Sequence, residues 1–252
     1  MEYQDINAAT IDRWVAEGWQ WGRPIDHETF LRATQGDWSV HLTPTRPVPR
    51  AWLGDVRGRR VLGLACGGGQ QMPLLAAAGA VCTVLDYSRA QLEGDRAVAA
   101  REGLQMEILR ADMSRPLPFP DAAFDLILHP VSNCYIREVD PLWRECFRVL
   151  RPGGILLAGL DNGMNFLVDA ADESRIVNRL PFDPLANEDQ RRQLEACDGG
   201  MQFSHTLEDQ IGGQLRAGFT LTDVYEDTNG EGFLHDMRIP AFWATRAVKG
   251  TI

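Results

Sequence analysis

One feature constrains this chain more than any other: an apolar strand that ends abruptly in three glycines. Residues 60–69 read RVLGLACGGG, and a helix-forming segment follows them. Glycine tolerates positive φ in a tight turn, and its missing Cβ lets the backbone approach a ligand closely. The free N–H groups at the start of the next helix point to the same place. The segment therefore predicts a nucleotide-sized ligand at the edge of a parallel sheet, although a glycine-rich turn alone is weakly specific.

A second apolar run supplies a carboxylate at the spacing that such a ligand needs. Residues 80–86 read AVCTVLD, and Asp86 lies 19 residues beyond Gly67. An acid at the end of the second strand accepts hydrogen bonds from the two ribose hydroxyls of a nucleoside. The alternative is that Asp86 only complements the dipole of a helix that begins at Ser88. The spacing favours the ribose role.

From residue 60 onward, strands and helices alternate in the pattern of βαβ units and a doubly wound α/β sheet. Further strands are predicted at 104–109, 124–129, 155–158, 220–226 and 240–247, and helices at 70–78, 88–103, 187–196 and 206–217, with another beginning at Asp140. The pair Asn229-Gly230 between the last two strands indicates a terminal β-hairpin.

Two segments lie outside this alternation. Residues 1–55 are predicted to form a helical N-terminal cap that includes an extended, proline-rich strap at 38–49. Residues 56–252 are predicted to form the ligand-binding domain, which a polar insertion at 161–203 interrupts after the fifth strand. An insertion at that place lies at the ligand end of the sheet, so we expect it to shape a substrate pocket.

Tryptophan is concentrated ahead of the glycine turn. Five of the seven tryptophans lie there, namely Trp14, Trp19, Trp21, Trp38 and Trp52. Two interpretations are open, because large aromatic side chains serve both packing and binding. The tryptophans either pin the cap to the core, or one or two of them face a ligand.

Composition argues against several classes of partner. The 25 basic and 35 acidic residues give a net charge of −10 without a basic cluster, which argues against nucleic acid. The five cysteines form no Cys-x-x-Cys pair, so neither a metal site nor a disulfide framework is indicated. No apolar run approaches the roughly 20 residues of a membrane span, and the first residues are acidic, unlike a signal peptide. We expect a cytoplasmic protein without a membrane partner, and its oligomeric state is left open.

Several motifs, taken in order, resemble those of the class I S-adenosylmethionine-dependent methyltransferases of small-molecule type. The resembling segments are 61–69 (first motif), 84–88 (acidic loop), 111–113 (adenine-binding loop), 117–127 (entry to the fourth strand) and 147–154 (turn before the fifth). The resemblance covers residues 59–160 strongly and the 204–247 tail more loosely. It implies a Rossmann-like fold whose mostly parallel sheet has seven strands, the last antiparallel, and it implies S-adenosyl-L-methionine as the cofactor.

The resemblance also assigns a cofactor site. The residues that it places there are Ala65, Cys66, Gly67, Gly69, Asp86, Tyr87, Asp112, Met113 and His129. In this family the Asp of the 111–113 loop accepts a hydrogen bond from the exocyclic amine of adenine. Cys66 is interpreted as a small buried side chain and not as a reactive thiol.

The first motif departs from the family pattern. An acidic residue usually ends the strand core, and a glycine follows two positions later, whereas this chain has Gly63 and Ala65. The ammonium of the cofactor therefore lacks one usual support. Backbone carbonyls at Ala65 and His129 replace it, or a residue of the strap does, and Arg46 is a candidate to meet the cofactor carboxylate.

Methyl transfer from a sulfonium is an in-line displacement, so alignment is the main task and no covalent intermediate is needed. His129 ends the fourth strand and is the candidate general base, because neutral imidazole suits that role near pH 7. Asn133, Tyr135 and His205 are candidates to bind the acceptor. The alternatives are that His129 only lines the cofactor site, Tyr135 packs under its loop, and His205 caps the helix at 206–217.

The sequence thus predicts an enzyme that transfers a methyl group from S-adenosylmethionine to a small-molecule acceptor. Three alternatives remain open: a protein or RNA methyltransferase, an inert S-adenosylmethionine-binding protein, and a nicotinamide-dependent oxidoreductase, which shares the first two sequence elements.

Overall fold

A computed structural model of the protein describes residues 2–250, and its centre is a seven-stranded sheet. The strands are β1 (Arg60–Leu64), β2 (Val81–Asp86), β3 (Glu107–Arg110), β4 (Phe124–His129), β5 (Leu150–Asp161), β6 (Phe219–Asp227) and β7 (Phe242–Lys249). Their order is β3-β2-β1-β4-β5-β7-β6. The first five strands are parallel, and β7 runs antiparallel to both β5 and β6. This confirms the predicted doubly wound sheet with an antiparallel last strand.

Helices cover both faces of the sheet. They are α1 (Tyr3–Ala16), α2 (His27–Thr34), α3 (Arg50–Leu53), α4 (Gln71–Ala77), α5 (Arg89–Glu102), α6 (Asp140–Val149), α7 (Met164–Leu167), α8 (Glu188–Ala196), α9 (Gly213–Arg216) and α10 (Gly232–Asp236). Several start where the sequence places a capping residue: Asp26 accepts from the Thr29 N–H, and Ser88 from the Gln91 N–H. Within residues 2–250, none of the helices has the length and apolar character that a membrane span requires.

The core forms two layers because the central strands are apolar on both faces, as parallel strands covered by helices must be. On one face Val61, Val84 and Leu126 pack against α4 and α5. On the other face, residues such as Leu62 and Ile127 pack against α6. The carboxyl ends of β1, β2, β4 and β5 therefore meet at one edge of a rigid sheet, where ligands bind in this architecture.

The predicted terminal β-hairpin is confirmed, because β6 and β7 are consecutive strands that pair antiparallel. The last two strands pair as expected, but residues 228–241 connect them and include α10. The helix begins where a carboxylate oxygen of Glu173, in the insertion, accepts from the Leu234 N–H at 2.8 Å. A contact distant in sequence thus helps to fix the connection between the two strands, which is longer than a two-residue turn.

Candidate active site

A cavity of about 870 Å³ lies at the carboxyl ends of the strands. Residues after β1, β2, β3 and β4 form its floor, while α1, the strap and the 161–203 insertion form its walls. We name two regions of it. The Asp86 end is lined by Gly67, Asp86, Asp112 and Met113, and the Asp161 end by Asp161, Asn165, Phe166 and Phe242.

Only part of the glycine turn lines the Asp86 end. Ala65, in the left-handed region at φ 46°, Cys66 and Gly67 face the cavity. Gly69, predicted to bind the cofactor, does not line it: a Cβ there would lie 2.6 Å from the Gly94 carbonyl oxygen in α5. Its carbonyl accepts from the Ile25 N–H of the cap. Gly69 therefore serves the close packing of the turn against α5 and the cap.

Asp86 is a buried carboxylate held in one orientation. One oxygen accepts from the Gly67 N–H at 3.0 Å and the other from the Ser88 N–H at 2.9 Å. Burial raises the pKa of Asp86, and these two donors oppose that shift. Each oxygen keeps a lone pair for a further donor. The side chain lines the cavity, so it can accept hydrogen bonds from a pair of ligand hydroxyls.

Asp112 lines the same end of the cavity, one strand further along the sheet. The Ala111 N–H donates to the Asp86 carbonyl oxygen, which joins the ends of β2 and β3. One carboxylate oxygen of Asp112 accepts from the Ser114 N–H at 2.8 Å, and the other lies 3.7 Å from Arg115 Nε. Met113 is buried and also lines the cavity. The structure thus brings the two predicted carboxylates to one groove.

Tyr87 lines the cavity from the acidic loop. Its hydroxyl donates to Asp5 Oδ1 of α1 at 3.1 Å, and the Arg110 guanidinium stacks over its ring at 4.5 Å. Burial raises the pKa of the Cys66 thiol well above its ordinary value, which fits an inert side chain.

The ring of His129 is not in the cavity, which contradicts its prediction as a general base. The residue is fully buried, its Nδ1 donates to the Leu64 carbonyl at 2.9 Å, and its ring packs edge-on against Trp143. Burial lowers its pKa to about 4. The ring points into the layer beneath the sheet, because alternate residues of a strand face opposite sides.

Two of the three predicted acceptor-binding residues also point elsewhere. Asn133 is buried, and its Nδ2 donates to Gln210 Oε1 at 2.8 Å. His205 does not cap a helix, since Thr206 and Asp209 cap that segment reciprocally; its Nε2 instead donates to the Ile136 carbonyl. Both stabilise the loop after β4. Only Tyr135 lines the cavity.

His41 and Asp161 are among the cavity residues that the sequence does not predict. His41 lies in the strap between the buried Val40 and Leu42, and alternation of this kind turns His41 away from the core. Asp161 ends β5 as Asp86 ends β2, and it is 8% exposed. The signals were a polar residue between two apolar ones and a carboxylate at a strand end.

The strap spans the cavity. The amide of Gln71, at the start of α4, bonds both the N–H and the carbonyl of His41 at 2.9 Å. The next strap residue, Leu42, accepts from the Val131 N–H, and its carbonyl oxygen is so close to Gly159 of β5 that no Cβ fits there. His41 therefore lies between the Asp86 end and the Asp161 end.

The tryptophans divide between the two interpretations. Trp19 and Trp21 line the cavity, and Trp14 stacks on Trp19 at 5.3 Å. Trp52 is buried in the core, and Trp38 lies under the Arg50 guanidinium at 3.4 Å. Some tryptophans of the cap thus line the cavity, and others pack away from it.

Arg46 is not at the cavity, contrary to its proposed contact with a cofactor carboxylate: it donates to the Glu226 carbonyl and stacks over Tyr225. A carboxylate does lie next to the glycine turn, although β1 carries Gly63 there. It belongs to Asp95 of α5, which is fully buried. Burial raises its pKa to about 8, while the N–H groups of Gly69 and Gly68 oppose that shift.

Within residues 2–250, no three His, Cys, Asp or Glu side chains are grouped as metal ligands would be. The polar groups around the Asp86 end are carboxylates, which accept hydrogen bonds, and backbone N–H groups, which donate them; this combination suits a nucleoside.

Comparisons with known proteins agree with this geometry. Residues 62–158 match the family described as "Methyltransferase domain". The uncharacterized methyltransferase YbaJ of Bacillus subtilis (strain 168) is 40% identical over 250 residues, which cover 96% of this chain and 97% of that protein. The demethylmenaquinone methyltransferase of Clavibacter sepedonicus is 37% identical over 130 residues, 51% of this chain and 50% of that protein.

A solved structure shares the fold. The S-adenosylmethionine-dependent methyltransferase of Mesorhizobium loti superimposes with a TM-score of 0.65 at 22% identity, covering 79% of this chain and 95% of that chain. With a relative of nearly equal length at 40% identity, the chain belongs to the class I S-adenosylmethionine-dependent methyltransferases.

Proposed function

We propose that the protein transfers a methyl group from S-adenosylmethionine to a small-molecule acceptor bound at the Asp161 end of the cavity. One observation carries this proposal: a single cavity holds the two carboxylates of the Asp86 end and continues into a chamber walled by the cap and the insertion. A chamber of this kind suits an acceptor that is enclosed as a whole.

Asp86 and Asp112 are proposed to hold the nucleoside. The Asp86 carboxylate, fixed by the Gly67 and Ser88 N–H groups, accepts from the ribose hydroxyls. Asp112 accepts from the adenine amine, and Met113 packs on the ring. The groove fits such a ligand because both carboxylates open into it while their backbone donors fix their direction.

The chain's own part in the chemistry is alignment, exclusion of water and movement of a proton. When bound, S-adenosylmethionine supplies a methyl group on a positively charged sulfur. Trp19, Trp21 and the strap close the cavity over this region, which limits access of water. His41 is proposed to accept the proton of the acceptor, because it lies between the two ends and burial lowers its pKa, which keeps the imidazole neutral.

Three considerations favour a small molecule over a protein or RNA. The walls of the Asp161 end leave room for an enclosed ligand, and the net charge of −10 disfavours a polyanion. The name of the Clavibacter relative also refers to a small-molecule acceptor. Membership of the methyltransferases removes the nicotinamide-dependent alternative.

The first test is calorimetric titration with S-adenosylhomocysteine. We expect binding by the wild type and losses of about 1–3 kcal/mol in Asp86→Ala and Asp112→Ala, because each removes hydrogen bonds to a buried polar ligand. Asp169→Ala, which alters a carboxylate at the far side of the cavity, is the control. Unchanged affinity in both site variants would refute the assignment.

The second test is turnover. A library of small nucleophiles is incubated with the protein and S-adenosylmethionine, and release of S-adenosylhomocysteine is followed together with a mass increase of one methyl group in a library member. Methylation of a small molecule supports the proposal. Binding of S-adenosylhomocysteine without any methylated small molecule would favour the inert or macromolecular alternatives.

A further inference from the structure

The cavity has an uneven distribution of charge. Its lining includes four carboxylates, Asp86, Asp112, Asp161 and Asp169, and among residues 2–250 no lysine or arginine lines it. A site built for a carboxylate or phosphate group normally contains a cation, above all arginine. An anionic acceptor is therefore disfavoured at this surface.

Two of these carboxylates, Asp86 and Asp161, have no cation beside them among residues 2–250, and each is 8% exposed. Asp169 lies 3.9 Å from Arg175 Nη1, and Asp112 lies near Arg115. Asp161 has no ion pair within residues 2–250, although it is only 8% exposed. A buried carboxylate is costly unless a cation or several donors compensate it.

A chain of hydrogen bonds orients the Asp161 carboxylate, and in each bond to the carboxylate the Asp161 oxygen is the acceptor. The Gly163 N–H donates to Oδ1 at 2.7 Å, and Asn165 Nδ2 donates to Oδ2 at 3.0 Å. Asn165 is itself oriented, because its Oδ1 accepts from Asn229 Nδ2 at 2.9 Å. These neutral donors fix the position of the carboxylate, and its remaining lone pairs are open to a ligand.

The surroundings of Asp161 suit an organic cation. Phe242 is its partner across the β5–β7 ladder, and Phe166 and Phe182, with ring centroids 5.2 Å apart, line the same end of the cavity. Aromatic faces attract ammonium groups and cover the apolar part of a ligand.

The carboxylate is also far from the cofactor's nucleoside. β1 and β4 separate β2, which carries Asp86, from β5, which carries Asp161. Three strand spacings place the two strand ends about 14 Å apart. Asp161 therefore lies on the acceptor side of the transferred group.

We infer that the acceptor is a small arylalkyl amine, bound as its ammonium ion by Asp161 and packed against Phe166, Phe182 and Phe242. One ammonium proton passes to His41, the proton acceptor of the proposed function, and the nitrogen lone pair freed in this way is the nucleophile that takes the methyl group. This inference rests on the proposed function and names the substrate class of the same site. Asp161 is a specificity residue in it.

The experiment uses the complex of the protein with S-adenosylhomocysteine and titrates it with sets of three matched probes. Phenethylamine, phenethyl alcohol and phenylacetate form one set, and tryptamine, tryptophol and indole-3-acetate form another. The amine of at least one set is expected to bind about tenfold or more tighter than its alcohol, and the acid more weakly than both. If no amine exceeds its alcohol, undetectable binding of both included, the inference is overturned.

Two variants test whether the preference for the amine depends on Asp161. Asp161→Asn is expected to abolish the preference for the amine while S-adenosylhomocysteine binds as in the wild type. Asp169→Asn, whose carboxylate is already paired with Arg175, is the matched control and should keep the preference. Loss of S-adenosylhomocysteine affinity in Asp161→Asn would instead place Asp161 at the cofactor's own ammonium and refute the inference. The comparison within the wild type stands even if that variant fails to fold.

Failure of this inference is distinguishable from failure of the proposed function. If S-adenosylhomocysteine binds and alcohols or acids are methylated in the library while amines are not, the amine assignment is wrong and the methyltransferase proposal stands. If S-adenosylhomocysteine does not bind at all, both proposals fail.

Discussion

At the scale of single residues, the two histidines near the cavity have opposite surroundings. His41 lines the cavity, with its backbone held by Gln71. His129 is sealed beneath the sheet by the Leu64 carbonyl and Trp143. Burial lowers the pKa of both, so each is neutral at pH 7. Only the exposure of His41 to the cavity suits proton transfer.

The pair His41→Gln and His129→Gln tests this division. We expect turnover to fall by about 10²-fold or more in His41→Gln, as is usual when a proton acceptor is removed, with S-adenosylhomocysteine affinity nearly unchanged. In His129→Gln the expected loss is in stability, with kcat within a few-fold of wild type. The measurements are steady-state kinetics, calorimetry and chemical denaturation. A large kcat loss confined to His129→Gln would restore the first assignment.

At the scale of elements, the missing side chain of Gly68 in the glycine turn leaves space for the backbone of the cap. A Cβ on Gly68, whose φ is +100°, would lie 2.6 Å from the Trp21 carbonyl oxygen. We therefore expect Gly68→Ala to displace Trp21, which lines the cavity, and to weaken S-adenosylhomocysteine binding by about tenfold or more.

Gly36 provides the matched control. Its φ is +91°, but nothing lies within 4 Å of the position that a Cβ would take there. Gly36→Ala should cost only the strain of positive φ, about 1 kcal/mol of stability, and leave ligand affinity intact. Equal effects of the two substitutions on affinity, measured by calorimetry, would show that contact with the cap is irrelevant.

The packing of α5 against the turn gives a pH prediction through Asp95. Burial raises its pKa to about 8, with further upward influence from Asp86 and opposition from the Gly69 N–H and Arg96. Because the folded-state pKa exceeds the unfolded value near 3.9, its ionisation destabilises the fold progressively as pH rises from about 4 towards 8.

Asp95→Asn removes that ionisation. Relative to wild type, its free energy of unfolding should increase with pH between 5 and 8, by up to about 1.4 kcal/mol per pH unit. Urea denaturation across this range measures the difference. Cys66 and Cys82, the neighbouring thiols, stay protonated because burial raises their pKa values, so they do not contribute. A difference independent of pH would contradict the assignment to Asp95.

At the scale of the whole molecule, the sequence predicts features that depend on local interactions, and it does not predict features that depend on contacts between distant segments. The order and type of the core strands were predictable, since their apolar runs and turn residues are local signals. Asp86 and Asp112 were predictable as occupants of one groove, because parallel strands bring their carboxyl ends together. The side-chain direction of His129 was not, since a continuous apolar strand does not reveal which face each residue takes. Nor were contacts that join distant segments, such as Glu173 with α10.

Asn7 is the clearest of these distant contacts. It is buried in α1, and its Nδ2 donates to the Tyr135 carbonyl at 3.0 Å and to the Met201 carbonyl at 2.8 Å, while its Oδ1 accepts from the Met201 N–H. One side chain thus joins the cap, the loop after β4 and the segment that follows α8. Asn7, Tyr135 and Gln202, one from each of these segments, line the cavity, so the mutual positions of the segments set its shape.

We expect Asn7→Ala to loosen this closure without unfolding the sheet. Losing these bonds should cost about 1–3 kcal/mol, because the Met201 N–H and two carbonyls are left without partners. Hydrogen exchange should quicken in residues 3–16 and 197–203, and the KM for the acceptor should rise more than the Kd for S-adenosylhomocysteine. The control is Asn178→Ala, whose Nδ2 bonds the Phe166 carbonyl and Gln193 Oε1 within the insertion alone. It should leave exchange in residues 3–16 unchanged. If both variants quicken exchange there equally, closure depends on the insertion as a whole and not on the contact that Asn7 makes across the cavity.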